Sequence, residues 1–103
     1  MAKILTQIID CPKHVTRWLI VKDKATNFEF SNQLGAITAA RNGSMETSIT
    51  TLANGNLRMT YIHRFPTQAD LDAYLAVLNQ YAAERDAYNT ANGVTYTATT
   101  SEE

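Results

Sequence analysis

The sequence is poor in several residue types and patterns that define whole classes of protein. Its 103 residues include one cysteine, Cys11, which excludes an intrachain disulfide framework and a multi-cysteine zinc site. No apolar run approaches the ~20 residues that a membrane-spanning helix needs, and the N-terminus lacks the ~7–15-residue apolar core of a secretory signal. We therefore expect a cytoplasmic protein without a membrane span, in a compartment where an unpaired cysteine stays reduced.

The charges of the chain are nearly balanced. Nine basic and ten acidic side chains give a net charge of -1, which argues against a nucleic-acid partner and against a basic membrane-surface protein. A hydrophobic content of 45% in a chain of this length predicts one domain over residues 1–103. Within it, residues 1–12 are expected to form an N-terminal extension or an edge strand, and residues 100–103 a frayed acidic tail.

The clearest predicted element is a helix that follows Pro66. Thr67 suits the N-cap position, and Asp70 lies in the first turn, where a carboxylate complements the helix dipole. The helix is expected to continue to about residue 88 or 89 and to stop at Asn92-Gly93, since both residues tolerate a left-handed backbone. Apolar residues recur along one face at three- and four-residue spacing: Leu71, Tyr74, Leu75, Leu78, Tyr81 and Ala82.

The pair Asn54-Gly55 is the strongest hairpin signal in the chain, because a two-residue type I′ turn needs positive φ at both positions. It predicts two antiparallel strands, at residues 45–53 and 56–65. A turn of two residues fixes which residues face one another. The more apolar face of this hairpin, which includes Met59, is assigned to the core beneath the helix.

The remaining elements follow from shorter patterns. Residues 15–21 are a third predicted strand, whose part at 18–21 is apolar on both faces, as in a central strand. In residues 94–99, Val94, Tyr96 and Ala98 alternate with threonines, as in a strand with one face exposed to water. Residues 32–41 form a short helix, or residues 28–30 instead pair back on the strand at 15–21. Residues 3–10 are a candidate for an extra edge strand.

With the short helix, the element order is strand, helix, strand, strand, helix, strand. This is the split βαβ arrangement, so we predict an α+β, ferredoxin-like fold. Its antiparallel sheet carries one long C-terminal helix and one short helix, both packed on one face. The bare face needs a cover, and a second copy is the simplest one, so we expect a homodimer. The hairpin pattern places four residues on that dimer face: Thr47, Ile49, Thr60 and Ile62.

One local segment carries a resemblance to a known family. The strand end Tyr-Ile-His-Arg-Phe at 61–65 is followed by Pro-Thr at 66–67 and by a helix from Gln68 through Leu71 and Tyr74. With the length and element order, it resembles the dimeric ferredoxin-like, α/β-barrel family of the antibiotic biosynthesis monooxygenase type. The resemblance covers somewhat more than the C-terminal half. It implies sheets paired face to face and, in some members, cofactor-independent oxygenation of aromatic polyketides or degradation of haem.

Two groups of side chains are candidates for a functional site. In the predicted register Glu46 lies opposite His63, and a carboxylate beside an imidazole raises the pKa of the histidine and orients a general base. The alternative is an ordinary stabilising cross-strand pair. The second group either lines an apolar pocket or only fills the core. It consists of Trp18, Met59, Tyr61, Tyr74, Tyr81 and Tyr96.

Two further patterns are weaker. Cys11 and His14 have the spacing of half a metal site, but no second pair follows at zinc-site spacing, so we expect no metal and no cofactor. Four arginines offer an anion-binding or nucleic-acid surface, against which the negative net charge counts. They are Arg17, Arg41, Arg58 and Arg64.

These features favour a small non-catalytic binding or assembly module that forms a homodimer and takes a small apolar ligand. Two alternatives stay open. One is a cofactor-independent monooxygenase or isomerase, with His63 as base, Glu46 as the carboxylate that orients it, and the tyrosines as walls for a small aromatic substrate. The other is a virion or accessory protein of a phage, with which the Thr- and Asn-rich composition is compatible.

Overall fold

The computed structural model of the chain describes residues 2–18 and 24–103. Their element order is strand, helix, strand, strand, helix, strand, and the predicted α+β, ferredoxin-like fold is confirmed. A short 3₁₀ turn, Asn79–Tyr81, joins the two halves of the C-terminal helix. The elements are β1 (Lys3–Cys11), α1 (Lys24–Ala40), β2 (Ser44–Thr51), β3 (Leu57–Phe65), α2 (Gln68–Leu78), α3 (Ala82–Asn92) and β4 (Thr95–Glu102).

The sheet has the order β2-β3-β1-β4, and all of its pairings are antiparallel. Strand β1 therefore lies inside the sheet, which corrects the expectation that residues 1–12 form an extension or an edge strand. Residues 100–103 are not frayed, because β4 pairs with β1 as far as Glu102, opposite Lys3. The predicted central strand at 15–21 is also wrong for its described part. Residues 15–17 are irregular and Trp18 is helical, while residues 19–21 lie outside the described residues.

Helix α1 is longer than predicted. It occupies 17 residues, Lys24–Ala40, so the alternative of a strand at 28–30 is wrong and the short helix at 32–41 is only its second half. The reason is visible in the packing, since Phe30, Leu34 and Ile37 lie three and four residues apart and contact the main core cluster. These contacts outweigh the low helix propensity of Gly35.

The C-terminal helix begins and ends as predicted. Thr67 has an extended backbone, and its hydroxyl accepts a hydrogen bond from the backbone N–H of Asp70 at 3.2 Å. The helix ends at Asn92, where Gly93 takes a left-handed conformation with φ of 71°. Both helices cover the same face of the sheet. The core between them contains Leu5, Trp18, Phe30, Phe65, Leu71, Tyr74 and Leu78.

The hairpin between β2 and β3 has a three-residue loop rather than a two-residue turn. The backbone N–H of Leu52 donates to the carbonyl of Asn56 at 2.8 Å, and the N–H of Gly55 donates to the carbonyl of Leu52 at 2.9 Å. Gly55 alone within this loop has a positive φ, 86°. This is the three-residue hairpin in which a turn is followed by a left-handed glycine. The Asn54-Gly55 pair thus correctly predicts where the chain reverses direction, but it does not predict the length of the loop.

The longer loop shifts the predicted register by one residue. Met45, not Glu46, lies opposite His63, and Glu46 lies opposite Ile62. Because side chains alternate between faces, a shift of one residue exchanges the two faces of β2. Thr47 and Ile49 therefore share the helix-covered side of the sheet with Met59 and Tyr61. The predicted dimer face is divided accordingly, since Thr60 and Ile62 lie on the open side.

The loop geometry leads to a stability prediction. We expect Gly55→Ala to lower the free energy of unfolding by about 1–2 kcal/mol, because an L-residue pays that much in the left-handed region. Gly35→Ala is the matched control: it lies in an exposed helical position where an added Cβ meets nothing within 4 Å, so we expect a gain of about 0.5–1 kcal/mol. Urea unfolding followed by circular dichroism measures both. Equal effects of the two substitutions would contradict the assigned loop conformation.

Candidate functional site

A cavity of about 190 Å³ lies between the sheet and the helices. Five of the six residues that the sequence predicts as pocket-lining line it, namely Trp18, Tyr61, Tyr74, Tyr81 and Tyr96. Met59 does not, because it is buried in a second cluster with Cys11 and Val94. The walls also include Phe30, Leu34 and Leu78.

Aromatic rings form one wall of the cavity. The ring centroids of Trp18 and Tyr81 are 6.0 Å apart, and those of Phe30 and Tyr81 are 5.1 Å apart and nearly perpendicular. Edge-to-face contacts of this kind stabilise aromatic pairs beyond the burial of their area. They bring the segment before α1, helix α1 and the 3₁₀ turn together. The sequence pattern places Tyr81 on the buried stripe of the helix but contains nothing that pairs it with Phe30.

His63 lies in the sheet wall of the cavity and is 2% exposed. Its Nε2 is 2.6 Å from the side-chain oxygen of Gln7, whose amide nitrogen donates to the Tyr96 hydroxyl at 2.7 Å. Since that oxygen can only accept, Nε2 carries the hydrogen and Nδ1 carries the lone pair. Nδ1 is buried and has no hydrogen-bond partner among the described residues. Three strands thus meet in one polar chain beside the cavity.

Burial lowers the pKa of His63 to about 4, from an ordinary 6.5. The imidazole is therefore neutral at pH 7 and can accept a hydrogen bond or a proton at Nδ1. Burial also raises the pKa of the Tyr74 phenol, whose ring lies 4.8 Å from that of His63. Tyr74 accordingly remains a neutral hydroxyl at pH 7.

Glu46 is not part of this site. The register places it on the open side of β2, where its carboxylate is 68% exposed and lies 3.2 Å from the guanidinium of Arg64. The predicted pair of Glu46 and His63 is therefore wrong, and Gln7 is the residue that orients the imidazole. Gln7 is 7% exposed and lies between Leu5 and Ile9 along β1, so the sequence shows it only as a polar residue in an apolar strand.

Two arginines and one asparagine complete the polar part of the lining. Arg17 donates to the Tyr61 hydroxyl at 3.1 Å. The Arg85 guanidinium lies 4.1 Å from the centre of the Tyr96 ring, and its side chain is 14% exposed. Asn89 is 7% exposed and also lines the cavity. Nothing in the sequence pattern marks Arg85 and Asn89 as part of a site.

Metal ligation and membrane crossing find no support in the described part of the chain. Residues 2–18 and 24–103 contain no group of three or more His, Cys, Asp or Glu side chains arranged to hold a metal ion. Across the same residues, the helices are too short or too polar to span a bilayer. Cys11 is buried, and burial raises the pKa of its thiol.

Comparison with known proteins shows the fold. No protein-family model matches the chain, and no curated protein matches it by sequence. A dimeric ferredoxin-like protein from an uncultured marine organism is 10% identical, with a TM-score of 0.62 over 97% of this chain and 92% of its own. The de novo designed protein Foldit4 is 8% identical, with a TM-score of 0.57 over 100% and 99%. At these identities the likeness establishes a ferredoxin-like fold, and function must be argued from the site.

The buried histidine leads to a pH prediction. His63 stays neutral in the folded protein down to about pH 4 but binds a proton near pH 6.5 when unfolded. The contribution of the neutral imidazole to the free energy of unfolding is therefore fully present above pH 6.5 and is lost as the pH falls from 6.5 towards 4. Between about pH 7 and about pH 5 the loss is about 2 kcal/mol. We expect His63→Gln to remove this part of the loss and the exposed control His14→Gln to retain it, both measured by urea unfolding. Equal pH dependence in wild type and His63→Gln would contradict the burial of a neutral imidazole.

Proposed function

We propose that this chain is a small, non-catalytic binding module of the cytoplasm that holds a small aromatic or apolar molecule in the cavity beneath its C-terminal helix. The observation that carries this proposal is a cavity walled by aromatic side chains and edged by a few polar groups, the usual composition of a ligand pocket. An apolar cavity of about 150 Å³ holds benzene. The volume here, about 190 Å³, admits one ring with a small substituent.

Toluene is the simplest probe of this proposal. Trp18 is the single tryptophan of the chain and lines the cavity, so its fluorescence reports occupancy directly. We expect toluene to change Trp18 emission saturably and to raise the melting temperature, because a ligand that binds only the folded state stabilises it.

The matched variants are two leucine-to-phenylalanine substitutions. Leu34 lines the cavity and Leu57 does not, being 39% exposed at the start of β3. We expect Leu34→Phe to fill the cavity and weaken toluene binding about tenfold or more, an effect of about 1.4 kcal/mol. Leu57→Phe should bind as the wild type does. Identical binding by both variants would place the ligand elsewhere on the protein.

A second candidate function is cofactor-independent oxygenation or isomerisation, in line with the resemblance to monooxygenases of antibiotic biosynthesis. The observation that favours it is that His63 lines the cavity and that its Nδ1 has no hydrogen-bond partner among the described residues. A pKa of about 4 makes this nitrogen a weak base at neutral pH, and a general base works best with a pKa near the working pH. This comparison favours binding over base catalysis. If turnover of an aromatic substrate were detected, its persistence in His63→Ala would remove the catalytic assignment.

We further propose that the module forms a homodimer through the open face of its sheet. The register places Ile4, Ile8 and Ile62 at the centre of that face, each only partly buried in the single chain. Ion pairs flank this apolar centre. Arg58 binds Asp10 at 2.7 Å at one end of β3, and Arg64 at the other end binds Glu103 at 3.0 Å. The similarity to a protein described as dimeric and ferredoxin-like also supports a dimer.

The corrected register gives a sharp test of this interface. Ile62 lies on the open face, whereas Ile49 lies on the helix-covered side and is 62% exposed there. We expect Ile62→Lys to convert a dimer into a monomer, because two buried ammonium groups would face each other across the interface. Ile49→Lys should remain dimeric. Sedimentation equilibrium at micromolar concentration measures both, and a monomeric wild type would overturn the proposed dimer.

A further inference from the structure

We propose that the cavity selects an anionic ligand, a single-ring aromatic carboxylate whose ring lies among the aromatic walls and whose carboxylate meets Arg17 and Arg85. This inference rests on the proposed function and specifies the chemistry of its ligand. It arises from an imbalance of charge in the lining. Two guanidinium groups line the cavity, and none of its described lining residues is acidic.

Arg85 is a largely buried cation whose carboxylate partner lies outside the cavity. Its side chain is 14% exposed, and its ion pair is with the neighbouring Asp86, whose side chain is 60% exposed and which does not line the cavity. The Tyr96 ring lies 4.1 Å from the guanidinium carbon, a cation–π contact that leaves most of the guanidinium N–H groups available. Asp86 pairs with Arg85 from outside the cavity, and a bound carboxylate would add a partner for this cation on the cavity side.

Arg17 is the second cation and approaches from the segment before α1. It donates to the neutral hydroxyl of Tyr61 at 3.1 Å and forms no ion pair with the described residues. One such hydrogen bond uses one of the five donors of a guanidinium. Because His63 is neutral at pH 7, the positive charge of the lining comes from the two arginines.

Asn89 adds an uncharged hydrogen-bonding group to the cavity lining beside Arg85. It lies four residues after Arg85 on the same face of α3, is more than nine-tenths buried and lines the cavity. Its side-chain amide carries N–H donors and belongs to the same lining as the Arg85 guanidinium. A carboxylate oxygen accepts from an amide N–H as well as from a guanidinium, so one ligand group satisfies both.

The test compares benzoate with benzamide, which has nearly the same shape but no charge, using Trp18 fluorescence and isothermal titration calorimetry at pH 7. We expect benzoate to bind roughly ten- to a hundredfold more tightly, the ratio that a charge-assisted hydrogen bond supports. Arg17→Gln and Arg85→Gln should each reduce this preference for benzoate, while benzamide affinity stays unchanged. Arg85→Lys should restore part of the preference, because it restores the charge but not the planar donor set.

Arg41→Gln is the matched control. It removes the same charge from an exposed arginine that binds Asp70 at 3.4 Å and does not line the cavity, so the preference for benzoate should persist. Thermal unfolding of each variant verifies its fold. If a variant fails to fold, the affinities of the wild type for benzoate and benzamide still test whether the cavity prefers an anion. Equal affinity of the wild type for benzoate and benzamide would overturn the anion inference, yet toluene binding would leave the proposed function standing. Failure of toluene, benzamide and benzoate alike would overturn the proposed function itself.

Discussion

The side chain of Gln7 is the contact on which the organisation of the site depends. It lies on the internal strand β1 and reaches His63 on β3 through its oxygen and Tyr96 on β4 through its nitrogen. All three residues line one cavity, so a single amide fixes the tautomer of the imidazole and the position of a phenol. An amide suits this role because it donates and accepts at once and carries no charge that burial would penalise. A carboxylate at the same position would instead draw a proton onto His63.

The cavity combines features that usually oppose one another. Its walls come from the same aromatic and aliphatic residues that build the main core, including Trp18, Phe30 and Tyr74. Its edge carries two guanidinium groups and an amide, which cost free energy where water is excluded. A protein that only needed a stable core would fill this volume with one more apolar side chain. The presence of both the space and the polar groups supports the proposal that the cavity binds a ligand.

Sequence patterns predicted the elements that depend on local physics. The N-cap at Thr67, the buried stripe through Leu71 and the stop at Gly93 each follow from one helix and its neighbours. The hairpin register could not be predicted from the local sequence, because Asn-Gly fits both a two-residue turn and a three-residue loop with a left-handed glycine. The internal position of strand β1 was not predicted either, because its polar and apolar residues do not alternate cleanly. This strand pairs with β3 on one edge and with β4 on the other, and residues on both of its faces are at least partly buried.

The residues of the site illustrate the same limit. Tyr81, Arg85 and Asn89 are spaced four apart and continue the helical stripe that the sequence showed clearly as far as Tyr81. A polar residue at such a position normally marks the end of a buried face, so the sequence alone gives no sign that Arg85 and Asn89 belong to a site. Only the tertiary structure shows that the stripe changes from core to cavity lining. Gln7 carried even less signal, because a single glutamine in a strand is ordinary until its two partners are known.

The 3₁₀ turn at Asn79–Tyr81 divides the C-terminal helix into halves with unequal anchoring. Helix α2 buries Leu71, Tyr74 and Leu78, whereas Asn89 is the one fully buried residue of α3. Free energies of local opening follow the apolar area that an element buries, so α3 is the half that opens at lower cost. Since Arg85 and Asn89 belong to it, transient detachment of α3 exposes the polar end of the cavity while the aromatic wall stays assembled. Such breathing of α3 widens the polar side of a cavity that is already partly open to solvent.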